Sequence, residues 1–359
     1  MGDHPKDSEK ILLTLPWPEP TDLIKRLEEK FPTAEFVYKQ VTFNREQGLQ
    51  EQLPEDIYKD VTALLTLFTL PQSPSSCPNL EFVQLISAGS DKVVQRPIFK
   101  ETNIPFATVS GIHGPQISEW FIMSLLNFGH AYNALYEAQK ERLWQPSLGQ
   151  KVQDLVGQRL GVYGYGSIGR QAARVAKAMG MDVIAYTASP RDTPEKRKDT
   201  GFIVPGTGDP DGSIPSEWYS GTDKASLHHF LGRDIDVLLV GVPLTAATRH
   251  VLSTEEFDVL SKKRAFVANV ARGPVIDSAA LKKALEEGKL RGAALDVTEP
   301  EPLPKDNPLW EAPNTFISPH VSGNSNDYAK RAFQVFELNL ERKARGEPLI
   351  NVIDRKKGY

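Results

Sequence analysis

The stretch from Arg159 to Arg191, RLGVYGYGSIGRQAARVAKAMGMDVIAYTASPR, constrains the fold more than any other part of the chain. An apolar run, Leu160 to Tyr163, leads into Gly164-Tyr165-Gly166-Ser167-Ile168-Gly169. A helical pattern follows, with Ala172, Val175, Ala176 and Met179 on one face, and then a second apolar run from Val183 to Tyr186. Strand, glycine turn, helix and strand in that order read as one βαβ unit for binding a dinucleotide, the alternative being a glycine-rich structural turn in some other α/β protein. Gly164 permits the tight turn, Gly166 lets the backbone approach a pyrophosphate, and Gly169 allows the helix to sit close on the strand. The helix N-terminus presents free N–H groups to the anion.

A chain of 359 residues has room for two domains, and 40% hydrophobic with 25% charged residues is ordinary composition for a soluble globular protein. The formal net charge of −4 argues against a general binder of nucleic acid or anionic membrane. No apolar run is long enough to span a bilayer, and the opening MGDHPKDSEK has no signal-peptide core. Lys6 stands where a myristoylation signal beginning at Gly2 needs Ser or Thr. A single cysteine, Cys77, excludes an internal disulfide or a Cys-based zinc site and reads as a loop thiol without chemistry. A cytoplasmic protein with no metal is expected.

Short apolar runs precede the glycine motif: Ile11–Leu15, Phe36–Tyr38, Val61–Phe68, Phe82–Ile86 and Pro105–Val109. Others follow it: Asp236–Val242, Ala265–Val270, Ala293–Val297 and Phe316–Ser318, with helical segments such as Ser278–Glu287 between them. The pattern predicts two parallel-sheet α/β domains. Gln116–Lys140 and Asp327–Arg345 read as the long helices that carry the chain across the boundary and back. The first domain is therefore expected to be discontinuous, 1–120 with 321–359, around a dinucleotide domain at 121–320. Between Ala188 and Asp234 lies a polar stretch rich in Gly and Pro, far longer than an ordinary connection. It reads as a surface excursion or a lid, with Trp218 and Tyr219 as packing anchors.

Three residues fall just past predicted strand ends, the edge of a parallel sheet where ligands bind: Arg272 after AFVANVA, Glu301 after GAALDV, and His320 after TFISP. A guanidinium grips a carboxylate by a two-point fork, and a histidine beside a carboxylate is an acid–base group. Singly, each also has a plain structural reading, as a surface ion pair, a polar loop residue and a structural histidine.

Together they carry a resemblance. Residues Leu155–Gly323, with VGVPLTAATRH, NVARGPVID, ALDVTEPEPLP and ISPHVSG in order after the glycine motif, resemble the D-isomer-specific 2-hydroxyacid dehydrogenases. That family implies a Rossmann doubly wound NAD(P)-binding domain inserted in a flavodoxin-like α/β substrate domain. It implies hydride transfer from a reduced nicotinamide to C2 of a 2-oxo acid bound between the domains, as in glyoxylate or hydroxypyruvate reductases. Arg272 would anchor the substrate's carboxylate and carbonyl, His320 would donate the proton, and Glu301 would orient His320 and favour its charged form. The cofactor would contact Gly164, Gly166, Ser167, Ile168 and Gly169, then Val242, Pro243 and Thr248, then Val270 and Ala271, with Asp296 on the nicotinamide carboxamide and further contacts near Ile117. Glu299 is a decoy by the same pattern, and His113 a loop residue.

In the first domain LISAGSDKV resembles the family's substrate loop, in which Ser87, Ala88, Gly89 and Ser90 lie between a strand and a helix. The end of ALLTLFTL resembles the equivalent loop of glyoxylate and hydroxypyruvate reductases, which makes Leu67 and Phe68 candidates for the pocket wall; the alternative for Phe68 is ordinary core. Thr187 stands where NAD-dependent relatives carry an acid that repels a 2′-phosphate. Thr187, Ser189 and Arg191 can instead bond that phosphate, with Lys196 and Arg197 raising the local potential, so NADP(H) is expected ahead of NAD(H). Family members pair through the nucleotide-binding domain and the arm after the crossing helix, here ALYEAQKERLWQPSLGQ, so the resemblance implies a homodimer with Trp144 as an anchor; the alternative is that Trp144 folds back onto its own chain. Two alternatives remain: a non-catalytic NAD(P)H-sensing binding protein like a corepressor, and a short-type 3-phosphoglycerate dehydrogenase. The ending NVIDRKKGY leaves no appended regulatory domain in view.

Overall fold

A computed structural model describes residues 9–44, 49–150 and 152–359. The reading of Gly2 and Lys6 lies outside them. The chain divides into two compact units, Met1–Ile112 with Ser325–Tyr359, and His113–Asn324.

In the first unit, β1 (Lys10–Leu15), α1 (Thr21–Lys30) and β2 (Glu35–Gln40) are followed by a small antiparallel pair, β3 (Phe43–Asn44) and β4 (Leu49–Gln50). Then come β5 (Ala63–Thr66), β6 (Phe82–Leu85), α2 (Pro97–Lys100) and β7 (Phe106–Ala107). The main sheet has five strands in the order β2-β1-β5-β6-β7, all parallel. Counted in chain order this is 2-1-3-4-5, the flavodoxin-like arrangement. Tyr58, Leu64, Val83, Ile98 and Phe106 are fully buried in its core. Cys77 is buried there too, and burial pushes its thiol up to about 11, so it stays protonated at neutral pH.

The second unit opens with α3 (Gly114–Gly129) and α4 (Tyr132–Lys140). It continues with β8 (Arg159–Tyr163), α5 (Ser167–Ala178), β9 (Asp182–Thr187), α6 (Pro194–Arg197), β10 (Glu217–Ser220), α7 (Lys224–Leu231) and β11 (Val237–Val240). After these come α8 (Thr254–Leu260), β12 (Phe266–Asn269), α9 (Ser278–Glu286), β13 (Gly292–Leu295) and β14 (Thr315–Ile317), and α10 (Tyr328–Ala344) returns the chain to the first unit. The seven-stranded parallel sheet has the order β10-β9-β8-β11-β12-β13-β14. In chain order that is 3-2-1-4-5-6 with one strand added, the doubly wound dinucleotide-binding arrangement. Both faces of the sheet's centre are covered, so its central strands are largely apolar and alternate between two cores. Leu160, Val162, Val183, Leu239 and Ala268 face one, and Tyr163, Ile184, Leu238, Val240 and Val267 the other.

The structure differs from the sequence expectation in four places. The helical run 116–140 is two helices, broken where Ala131 takes a left-handed conformation at φ 53°. Within the long polar stretch, Trp218 and Tyr219 lie in strand β10, followed by helix α7. Ser90 is followed by turns over 91–95 and not by a helix, so no helix terminus adds its field to the Ser87–Ser90 loop. The division falls at 112/113 and 324/325 where 120/121 and 320/321 were expected, because the whole of α3 packs along α5.

Candidate functional site

The glycine turn at the end of β8 is shaped by its neighbours. Gly164 has φ 105°, and a Cβ there would lie 2.7 Å from the Gly241 carbonyl carbon. A Cβ at Gly169 would lie 2.5 Å from the Gly164 carbonyl oxygen, so the helix can approach the strand only with glycine. Gly166 is different: it is exposed and a Cβ there would meet nothing within 4 Å. The protein itself does not require its glycine. Gly166 caps α5 with no side-chain hydrogen bond to the first N–H groups, and Ser167 and Ile168 open the helix half-buried. This open cradle before free backbone donors fits a diphosphate.

The loops after β11 and β12 flank that turn through their strands, which pair with β8 in the order β8-β11-β12. Val242 and Pro243 begin the first loop. Its Thr248 hydroxyl donates to the Pro243 carbonyl at 2.7 Å and closes the loop on itself. Val270 and Ala271 are buried at the end of β12. Ile117, on α3, is buried among the core side chains of this unit.

At the end of β9, the Thr187 hydroxyl donates to the Ser189 carbonyl at 2.8 Å, and Ser189 is exposed. Arg191 donates through Nη1 to the Lys196 carbonyl, while its Nε is buried with no hydrogen-bond partner. Lys196 pairs with Asp192 at 2.8 Å, and Arg197 donates to the Arg191 carbonyl at 2.9 Å with its guanidinium over the Trp218 ring. The polar stretch is fastened to the dinucleotide turn. The Tyr165 hydroxyl donates to the Asp209 carboxylate at 2.8 Å, and the buried Arg170 of α5 donates to the Asp209 and Arg197 carbonyls at 2.5 and 2.6 Å.

β12, β13 and β14 run side by side in register, Asn269 beside Leu295 and Leu295 beside Ile317. Arg272, Glu301 and His320 therefore leave the sheet at one edge. The Asn269 side chain clasps the first turn, accepting from Ala271 N–H at 3.0 Å and donating to the Arg272 carbonyl at 3.1 Å. Arg272 is half-buried, and its Nη1 donates to the Ala271 carbonyl at 2.8 Å. Glu301 Oε1 and His320 Nδ1 are 2.6 Å apart, with both side chains partly exposed. His320 itself has φ 53°, and its N–H donates to the Asp296 carbonyl at 2.8 Å. The Asp296 carboxylate is 1% exposed and receives the Ser318 hydroxyl at 2.6 Å, the Val321 and Ser322 N–H groups at 2.9 and 3.0 Å, and the Ser322 hydroxyl. Four donors fill its lone pairs, so a carboxamide reaching Asp296 would have to replace one of them. In this structure Asp296 holds the turn that carries His320.

The remaining expected residues lie in the first unit, at the ends of two paired strands, Thr66 beside Leu85. Leu67 and Phe68 are half-buried, Phe68 against the core with the Lys92 ammonium 5.2 Å from its ring centre. The Ser87 hydroxyl donates to the Gly89 carbonyl at 2.8 Å, Ala88 is exposed, and Ser90 is buried with its hydroxyl on the Gly358 carbonyl at 2.7 Å. Sequence reasoning assigned nothing to Asn269 or to Asp209. An Asn at a strand end before a turn was a usable signal for the first; for the second, the local bonds from Ser213 and Ile214 N–H groups give no hint of the link to Tyr165 and Arg170, which lie far away in sequence.

Among the described residues no helix is long and apolar enough to cross a membrane, and no group of three or more His, Cys, Asp or Glu could hold a metal ion.

A doubly wound unit with an open diphosphate cradle, and an acid–base pair beside an arginine on the same sheet edge, defines a nicotinamide-dependent oxidoreductase. A family model for the NAD binding domain of D-isomer specific 2-hydroxyacid dehydrogenases matches residues 122–204 and 211–322, more than half of the chain, and the chain belongs to that family. The D-3-phosphoglycerate dehydrogenase of Methanocaldococcus jannaschii is 36% identical over 203 residues, 56% of this chain but only 34% of that protein. A glyoxylate reductase of Korarchaeum cryptofilum is 29% identical over 305 residues, covering 83% of this chain and 84% of its own. The solved structure of an NADPH-dependent glyoxylate/hydroxypyruvate reductase from Sinorhizobium meliloti, in complex with NADP and sulfate, aligns with a TM-score of 0.72 at 25% identity, over 98% of this chain and 100% of that one.

Proposed function

We propose that the protein reduces a small 2-oxo acid, of the size of glyoxylate or hydroxypyruvate, to the D-2-hydroxy acid, with NADPH ahead of NADH. The observation that carries the reading is the 2.6 Å pair of His320 and Glu301 on the sheet edge that Arg272 shares. The bound reduced nicotinamide supplies a hydride to C2 of the oxo acid. Arg272 holds the substrate carboxylate by its fork and places positive charge near the carbonyl oxygen. Glu301 engages Nδ1 of His320, which leaves Nε2 to give its proton to the oxygen as negative charge develops there. Retention of the acid–base pair favours an enzyme over a dinucleotide-sensing corepressor. Following nicotinamide absorbance with glyoxylate, hydroxypyruvate, pyruvate and 3-phosphohydroxypyruvate tests the reading. Turnover of the first two is expected, and absence of turnover with every 2-oxo acid would overturn it.

The phosphorylated cofactor is favoured by the missing acid at Thr187 and by the Arg191 Nε, which has no hydrogen-bond partner among the described residues. Arg191→Ala should weaken NADPH use by about 1.5–3 kcal/mol, the range of a charged hydrogen bond, and leave NADH use nearly unchanged. A wild-type kcat/KM higher with NADH than with NADPH would remove this part of the proposal.

A further inference from the structure

Glu299, two residues before Glu301, has its own fixed position. One of its carboxylate oxygens receives the Arg249 guanidinium, and the other lies 2.7 Å from His250 Nε2. Partial burial raises the Glu299 carboxyl, but the bonds from His250 and Arg249 outweigh it, and the group is held below the usual carboxylate range. Both partners directly follow Thr248, in the loop that runs from Val242 past the dinucleotide turn. His250 stands in left-handed backbone at φ 49°, and its N–H donates to the Pro274 carbonyl at 2.7 Å. A Cβ on Gly273 would fall 1.8 Å from the Thr298 carbonyl oxygen, so the Arg272 turn lies backbone against backbone on the segment that begins the Glu301 loop. Three segments meet at Glu299: the loop 242–250, the Arg272 turn, and the loop 298–302.

We infer that Glu299 is a positioning residue that couples dinucleotide binding to the alignment of the acid–base pair. Seating of the cofactor on the loop 242–248 fixes Arg249 and His250. Through Glu299 they fix the short segment that ends in Glu301, and Glu301 in turn sets the ring of His320. The carboxylate touches no reacting atom. Its effect passes through two peptide units, which are too few to absorb a displacement of the loop. The inference rests on the reading of Arg272, Glu301 and His320 as the reducing site, and its test separates the two.

Hydrogen–deuterium exchange of the full-length protein, with and without saturating NADPH, reads the coupling without turnover. In the wild type NADPH should slow exchange several-fold in peptides covering both 164–170 and 296–303. In Glu299→Ala the slowing should persist at 164–170, which shows the cofactor bound, and vanish at 296–303. Glu299→Gln keeps one acceptor oxygen, enough for Arg249 or His250 but not for both, and should restore part of it. In steady state Glu299→Ala should lower kcat about tenfold, with the KM for the oxo acid and the Kd for NADPH within twofold of wild type. The solvent deuterium isotope effect on kcat should rise, because a misplaced His320 makes proton transfer slower. A smaller folded fraction would lower kcat without changing that isotope effect. Equal protection at 296–303 in wild type and Glu299→Ala overturns the inference, as does a fall in kcat with an unchanged isotope effect. If the wild type reduces no 2-oxo acid, the function reading fails and the exchange experiment still decides the coupling.

Discussion

His320 is held by backbone as much as by side chain. Its left-handed conformation is one that histidine tolerates better than most residues, and the buried Asp296 fixes the turn from both sides. His320→Ala should therefore leave the fold intact and lower reduction by about 10²–10⁴-fold, the usual effect of a positioned general acid. Activity within about threefold of wild type would remove His320 from the mechanism. Glu301→Gln keeps a hydrogen-bond partner for His320 but removes the negative charge beside it, so kcat for reduction should fall while the KM for the oxo acid changes little; steady-state kinetics at neutral pH checks it. Asp296→Asn acts on stability instead. One oxygen becomes an NH2 facing buried donors, and a loss of about 1–3 kcal/mol is expected in urea denaturation. These roles differ in how readable they were. The placement of Arg272, Glu301 and His320 on one sheet edge was legible because each follows an apolar run. The brace at Asp296 could not, since its four donors become neighbours only when β13 and β14 pair.

At the scale of elements, the caps of two helices are joined. Ser253 and Glu256 form a capping box on α8, and the Ser253 hydroxyl also donates to Asp277, which caps α9 by accepting from Ala279 and Ala280 N–H groups. The bond from Ala280 N–H, helped by Ser253 and Ala279, holds the Asp277 carboxyl below the usual range against partial burial. A carboxyl lowered in the folded state stabilises it above the unfolded value, near 3.9 for Asp, and that stability is lost as pH falls through the lower folded value. Asp277→Ala should cost about 1 kcal/mol at neutral pH. The cost should shrink on acidification below about pH 4, as urea midpoints at the two pH values would report. Central strands were legible because burial on both faces makes them unbroken apolar runs. β10 was not: it is a half-buried edge strand, EWYS, set in a polar stretch. The break between α3 and α4 was equally hidden, because periodicity continues across Ala131 while the backbone does not.

At the scale of the molecule, the arm after α4 is left with an apolar surface. Trp144 is 95% exposed and Leu143 58%, and on α4 Tyr132 and Tyr136 are also exposed, stacked on each other. So large an indole in water is costly, and a second copy of the chain is the proposed cover. Light scattering should give a dimer mass at micromolar concentration, and Trp144→Glu should shift it toward the monomer. A monomeric wild type would rule out the proposed dimer under those conditions.

The return of α10 to the first unit has a consequence for biosynthesis. Phe333, Val335, Phe336 and Leu340 of α10 are buried, Phe336 is stacked on Phe82, and Asn339 bonds Gln84 at 2.9 Å. On the ribosome, then, β1 to β7 emerge long before α10, the helix that closes their core, and the continuous segment 113–324 is translated in between. The domain begun first should mature last, and its exposed sheet is the part of the nascent chain that most needs a chaperone's protection.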